Sequence, residues 1–140
     1  MVLLFAVIEF GRLTFTYLSL ANDIHEMARQ MAIPATTNAN VIAAYNNLNA
    51  LRVPPNPTTD SLTLMVFNAA GLQQGTTQTC TLPVTSGTCM VPVRTSANGG
   101  YVQVGVTYVF IFGPQFSAPF GISFVLPNIT LSLTTRDYIG

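Results

Sequence analysis

Charge is what this sequence has least of. Asp, Glu, Lys and Arg make up 7% of its 140 residues, against roughly 25% in ordinary soluble proteins. Lysine is absent, so all five basic residues are arginine, and the net charge is zero. That balance leaves no basic footprint for nucleic acid or for anionic lipid headgroups. Tryptophan is also missing, and histidine occurs once, at His25. With no second histidine, no nucleophile motif and no paired carboxylates beside it, triad and acid–base chemistry fail on inventory. An enzyme is not expected. Two cysteines and one distant histidine do not complete a tetrahedral zinc site, so neither metal nor cofactor is expected.

The two cysteines, Cys80 and Cys89, flank Thr81–Thr88. Ser86-Gly87 supplies a turn signal there between two short β-prone runs, Thr77–Pro83 and Thr88–Arg94. We read a disulfide across a hairpin, with two free thiols in a buried hairpin as the alternative. The chain-entropy model gives such a bond roughly 2.5–3 kcal/mol, and it places the domain in an oxidising location outside the cytoplasm.

Charge is also unevenly placed. Glu9, Arg12, Asp23, Glu26 and Arg29 fall in the first 33 residues, leaving Arg52, Asp60, Arg94, Arg136 and Asp137 for residues 34–140. A domain so poor in charge stays soluble through uncharged polar side chains, through burial in an assembly, or under glycan. At 140 residues there is room for one compact domain beyond an N-terminal helix.

What stands out positively is that helix. Met1-Val-Leu-Leu-Phe-Ala-Val-Ile8 is wholly apolar, and helical periodicity continues through Phe15, Leu18, Ala21, Ile24, Ala28 and Ala32. A rod apolar on every side must be buried in lipid or among other rods. The uninterrupted run covers only about 12 Å at ~1.5 Å per residue, short of the roughly 30 Å hydrocarbon core. Extending it to Ala21 reaches across but carries Glu9 and Arg12, which sit three apart on one face and can neutralise each other. No positive n-region or small-residue cleavage site is present, so the segment reads as a working part of the mature chain.

One helix is predicted over Val2–Ile33, ended by Pro34. A second runs over Val41–Leu51, capped by Asn38 or Asn40, with Val41, Ala44, Tyr45, Leu48 and Leu51 as its apolar stripe, and Val53-Pro-Pro-Asn-Pro57 stops it. The remainder reads as β: Ser61–Asn68, the cysteine hairpin, Tyr101–Phe112 after the Asn98-Gly-Gly100 turn, and Asn128–Tyr138. Val102, Val104, Val106, Tyr108 and Phe110 share one face of the third of these, while Ile129, Leu131, Leu133 and Thr135 share one face of the last. Gly113-Pro114 breaks the long strand, and Gln115–Leu126 carries no clear pattern. The expected fold class is therefore α+β. A helix over 1–33 precedes a head over 34–140, in which one short helix and the lower half of the first pack on a four- or five-stranded antiparallel sheet.

Ile8-Glu-Phe-Gly-Arg12, Leu20-Ala-Asn-Asp23 and Met27-Ala-Arg-Gln-Met-Ala32 resemble the conserved helix of TadE-like pilins, of the tight-adherence type IV pilus class. Val102–Phe112 followed by Gly-Pro, a loose hydrophobic loop and a closing Ile129–Asp137 strand are similar to the end of that family's domain. The resemblance implies a pilin-like subunit, held in the inner membrane before assembly and then polymerised by the pilus machinery into a cell-surface filament of identical copies. One departure is plain. The family's processing site places glutamate five residues after the cut, where this sequence has Phe5, so that role is not carried over to Glu9.

On this reading the assembly residues are Met1, Leu3, Leu4, Phe5, Val7, Ile8, Glu9, Phe10, Gly11, Arg12 and Phe15. Glu9 and Arg12 either pair within the subunit or neutralise groups on a neighbouring helix, the Met1 amine of an adjacent copy among them, and so set register. Gly11 either admits close helix approach or softens the helix. Asn128-Ile-Thr130 is a formal glycosylation sequon, and Thr58-Thr59 and Thr76-Thr77 are candidate O-glycan positions. Phe112–Phe124 is either sheet cover or a contact with a neighbouring subunit. The leading expectation is a structural pilin subunit in an extracellular filament. Its rivals are a minor pilin or tip adhesin that binds a surface or glycan, and a membrane-anchored β domain that never polymerises.

Overall fold

The computed structural model of this chain describes residues 2–33, 37–46, 60–82, 89–90, 92, 99–112, 116–117, 123–124 and 127–139. Among them the fold is α+β. Helices α1 (Val2–Ala32) and α2 (Asn38–Asn46) precede strands β1 (Ser61–Phe67), β2 (Gln73–Thr81), β3 (Tyr101–Phe110), β4 (Phe116–Ser117), β5 (Ser123–Phe124) and β6 (Ile129–Tyr138). Strands β2-β1-β3-β6 form, in that order, one antiparallel four-stranded sheet, while β4 and β5 pair separately.

The sheet has one apolar face, as alternation requires. Leu62, Leu64 and Val66 of β1 and Val102, Val104, Val106, Tyr108 and Phe110 of β3 are buried, and Ile129, Leu131, Leu133 and Thr135 of β6 are half-buried between exposed neighbours. Against this face lie Leu20, Ile24, Met27, Ala28 and Met31, which recur at helical spacing along the second half of α1. The helix runs antiparallel to β3. Its Arg12 guanidinium sits 5.5 Å from the centre of the Phe110 ring, and His25 Nδ1 lies 3.4 Å from Thr135 Oγ1 of β6. The stretch Arg12–Met31 of α1 and the stretch Val102–Phe110 of β3 are about 28 and about 27 Å long, so helix and sheet are closely matched in length.

Helix α2 packs on α1 and adds Val41 and Ile42 to the core. Its cap is Thr37 and not Asn38 or Asn40: Asn40 N donates to Thr37 Oγ1 at 3.3 Å and to Thr37 O at 3.1 Å. Asn38, inside the helix, instead sends its Nδ2 to the Cys89 carbonyl at 2.9 Å. Leu48 and Leu51, the turn at Pro34, and the side chains of Ala44 and Tyr45 lie outside the described residues.

Cys80 and Cys89 form the expected disulfide, with both side chains buried and their Cα atoms 5.2 Å apart. Among the described residues no second strand follows it to complete the expected hairpin. Cys89, Met90 and Pro92 are not in a strand, while β2 begins at Gln73 and pairs with β1. The turn that joins them is Asn68–Leu72. Gly71 N donates to Asn68 O, Leu72 N donates to Asn68 Oδ1, and Gly71 takes the left-handed conformation at φ 76°. The remainder of Thr88–Arg94 lies outside the described residues, as does most of Gln115–Leu126 apart from β4 and β5.

Two further residues hold the strand ends. Gly100, at the entry to β3, presses against the Phe67 carbonyl so closely that any side chain would collide with it. Asp60, buried just before β1, accepts the Val109 amide at 2.8 Å and so gives β3 an acceptor beyond the first residue of β1.

Candidate assembly surface

The first eighteen residues of α1 have two apolar faces, and the sheet takes only one. The inner face runs through Phe5, Glu9, Arg12, Leu13, Thr16 and Leu20, all buried or half-buried. The outer face carries Leu3, Leu4, Val7, Ile8, Phe10, Phe15, Tyr17 and Leu18, which are 47–82% exposed. Leu4, Ile8, Gly11, Phe15 and Leu18 follow one another at alternating steps of four and three residues, the spacing of a seam that packs against another helix. Beyond Leu18 the same line turns polar through Asn22, His25 and Arg29. The surface therefore has an end, about 21–24 Å from its start at ~1.5 Å per residue.

Glu9 belongs to the inner face. It is 4% exposed, and it accepts a 2.7 Å hydrogen bond from Arg12 Nη1 within the same helix. Arg12 continues to the Phe110 ring, so carboxylate, guanidinium and aromatic face form one chain between helix and sheet. The intrasubunit arrangement of this pair is the one seen, and it turns both charges away from the outer seam. Farther along, Glu26 and Arg29 make a second pair at 2.7 Å on an exposed polar turn.

Gly11 lies on the exposed seam. A Cβ placed there would meet nothing within 4 Å, and its backbone is ordinary helix, so the subunit's own packing does not require glycine. Of the other residues predicted for the surface, Phe5 is half-buried on the inner side, and Met1 lies outside the described residues. Tyr17 and Leu18 are on the surface although the sequence reading did not place them there. Their signal is the 100° step per residue, which puts Leu18 in line with Leu4 and Gly11. Asp23, fully buried one turn before Met27, is on the inner side.

α1 is the one helix among the described residues that is long and apolar enough to cross a membrane. Its packing limits what lipid can cover. The inner face is covered from Glu9 onward, while the outer face stays open from Leu3 to Leu18, about 21–24 Å against the roughly 30 Å hydrocarbon core. Asn128 and Thr130 of the sequon are exposed at the start of β6. Thr76 and Thr77 are exposed on β2, where Gln78 Nε2 and Gln73 Nε2 donate to their hydroxyls. Thr58 and Thr59 lie outside the described residues. Among the described residues no cluster of His, Cys, Asp and Glu has metal-binding proximity.

Fold and surface define a class: an α+β head whose long N-terminal helix shares one face with its own sheet and offers a second, uncharged face outward. In comparisons with protein-family models, curated proteins and solved structures, nothing matches this chain.

Proposed function

We propose that this protein is a structural, pilin-like subunit of the TadE type that polymerises through the outer face of α1 into an extracellular filament. The observation that carries the reading is the exposed apolar seam from Leu3 to Leu18, on the side of α1 opposite the sheet. Eight large apolar side chains, 47–82% exposed, amount to on the order of 800 Å², the area one partner contributes to a standard stable interface. Such a patch on a finished subunit marks a contact with another molecule. Copies of the same helix are uncharged and apolar along the same length, so they suit it. The pair Glu9–Arg12, already satisfied inside the subunit, poses no obstacle to helix–helix contact in a dry core. The buried disulfide fits assembly in an oxidising compartment, and the apolar N-terminal turns fit a membrane-held state before assembly.

Electron microscopy of sheared surface material, with composition read by mass spectrometry, tests this. A major subunit gives uniform filaments whose mass is dominated by this chain. Low copy number at filament ends would replace the reading with a tip adhesin. Retention in membranes after shearing, with no filaments, would replace it with a non-polymerising anchored domain.

A further inference from the structure

Among the described residues nothing pairs with the outer edge of β6. Ile139 N donates to Gly100 O, which fixes the phase of the β3–β6 ladder: the odd-numbered residues of β6 bond to β3, and the even-numbered ones point their amides and carbonyls off the sheet. The Tyr138 amide confirms the phase by bonding to Asp137 Oδ1 at 2.9 Å. The backbone groups of Thr130, Ser132, Thr134 and Arg136 have no partner among the described residues. Exposed edges are ordinarily blunted by lysine, proline, a bulge or shortness. Over Ile129–Thr135 β6 has none of these and no charge: the strand is ten residues long, it pairs with β3 in unbroken register, it carries no proline, and its charges, Arg136 and Asp137, stand only at its end.

The other edge, β2, is blunted over its first half only. There Gly75 has a positive φ of 72°, the register with β1 shifts, and Gln73 Nε2 reaches the Gly75 carbonyl at 3.3 Å. Its second half is regular. The Leu82 amide bonds to Asp60 O, and this phase turns the backbones of Thr79 and Thr81 outward.

We propose that the β6 edge of one copy pairs with the Thr79–Thr81 end of β2 in a second copy, joining their sheets. This inference rests on the assembly reading above and adds a second interface to it. Strand directions alternate across β2-β1-β3-β6, so with four strands the two edges run oppositely. A second copy shifted sideways in the plane of the sheet therefore presents β2 antiparallel to β6, in the sense that continues the ladder. The contact is heterologous and repeats without closing, as a filament needs. Pairing β6 with β6 about a two-fold axis would instead stop at two copies and set their α1 helices antiparallel. The side chains agree with the choice: Thr79 and Thr81 meet Thr130, Ser132 and Thr134, an uncharged hydroxyl-on-hydroxyl match. Because α1 lies lengthwise over β3 and β6, such joined sheets form a shell outside a core of α1 helices.

Residue-resolved amide hydrogen exchange on the assembled and the dispersed full-length chain tests this. The amides of Thr130, Ser132, Thr134, Thr79 and Thr81 should slow by at least about 100-fold on assembly, as edge groups do when they join a ladder. Particles in which the α1 seam is protected but these amides exchange as in the dispersed chain would overturn the strand pairing and leave the helix reading standing. Protection of β6 without β2 would overturn the choice of β2, and a chain that forms no particles would overturn both. As a second arm, Ser132→Pro removes an outward amide and no β3 bond. It should lower the assembled fraction at least about tenfold while the Cys80–Cys89 bond still forms, and unchanged assembly would overturn the proposal.

Discussion

Leu18 and Leu20 are two residues apart on one helix, yet Leu20 is fully buried while Leu18 is 55% exposed. The same contrast runs along α1: Thr16 against Phe15, Glu9 against Ile8 and Phe10. The charged pair and a buried threonine are on the side that meets the protein's own sheet, beside Phe5, Leu13 and Leu20, and the side that does not is uncharged and largely apolar, with only the hydroxyls of Thr14 and Tyr17. A helix in a monomer arranges these the other way, apolar inward and polar outward. In α1 the inversion is confined to the turns before Asn22. The second half obeys the ordinary rule, with Ile24, Met27, Ala28 and Met31 inside and His25 and Arg29 outside. One helix thus has two parts in sequence: its C-terminal half builds the head, and its N-terminal half leaves an apolar face open, the face that the proposed assembly would cover.

Substitutions separate the two faces, and the largest effect on folding belongs inside. Leu20→Ala should cost about 2–5 kcal/mol of stability by denaturant titration in mild detergent, whereas Leu18→Ala stays within about 0.5 kcal/mol and lowers assembly instead. Replacing Cys80 and Cys89 together by serine should cost about 2–4 kcal/mol and leave the outer face of α1 unaltered. Asp60→Ala leaves the part-buried Val109 amide without its acceptor and should cost about 1–3 kcal/mol, read as faster exchange of that amide. The smallest effect sharpens the comparison most. Gly11→Ala should raise the stability of the dispersed chain by up to about 1 kcal/mol through helix propensity, because open space surrounds that position, and should weaken assembly. A stabilised chain that assembles as before would show that Gly11 serves neither the subunit nor its contacts.

Much of this fold was legible in the sequence because burial leaves a period. The five inward residues of β3 and the four of β6 alternate in the sequence as they do in the sheet, and α1 ends one residue before its predicted limit. The disulfide was legible in two cysteines flanking a turn signal. β2 was legible only at its C-terminal end, because Gln73–Thr79 is polar on both faces of an edge strand and so leaves no hydrophobic alternation to read. The expected partner was the segment after Cys89, most of which lies outside the described residues, whereas β2 pairs with β1 through the turn at Asn68-Ala-Ala-Gly71. Thr37 was passed over as a cap because two asparagines follow it closely. The direction of Glu9 was not legible at all. Two faces of an apolar helix look alike until the position of the sheet is known, and here Phe110 decides it by receiving Arg12.

The most direct test of the outward-facing seam is hydroxyl-radical footprinting of the full-length chain, compared between dispersed subunits and the particles they form. Leu20 and Met27 should be protected in both states. Leu4, Ile8, Phe15 and Leu18 should be reactive when dispersed and protected at least about fivefold on assembly, as side chains are when a helix seam closes. Particles in which those four residues stay as reactive as in the dispersed subunit would contradict assembly through α1.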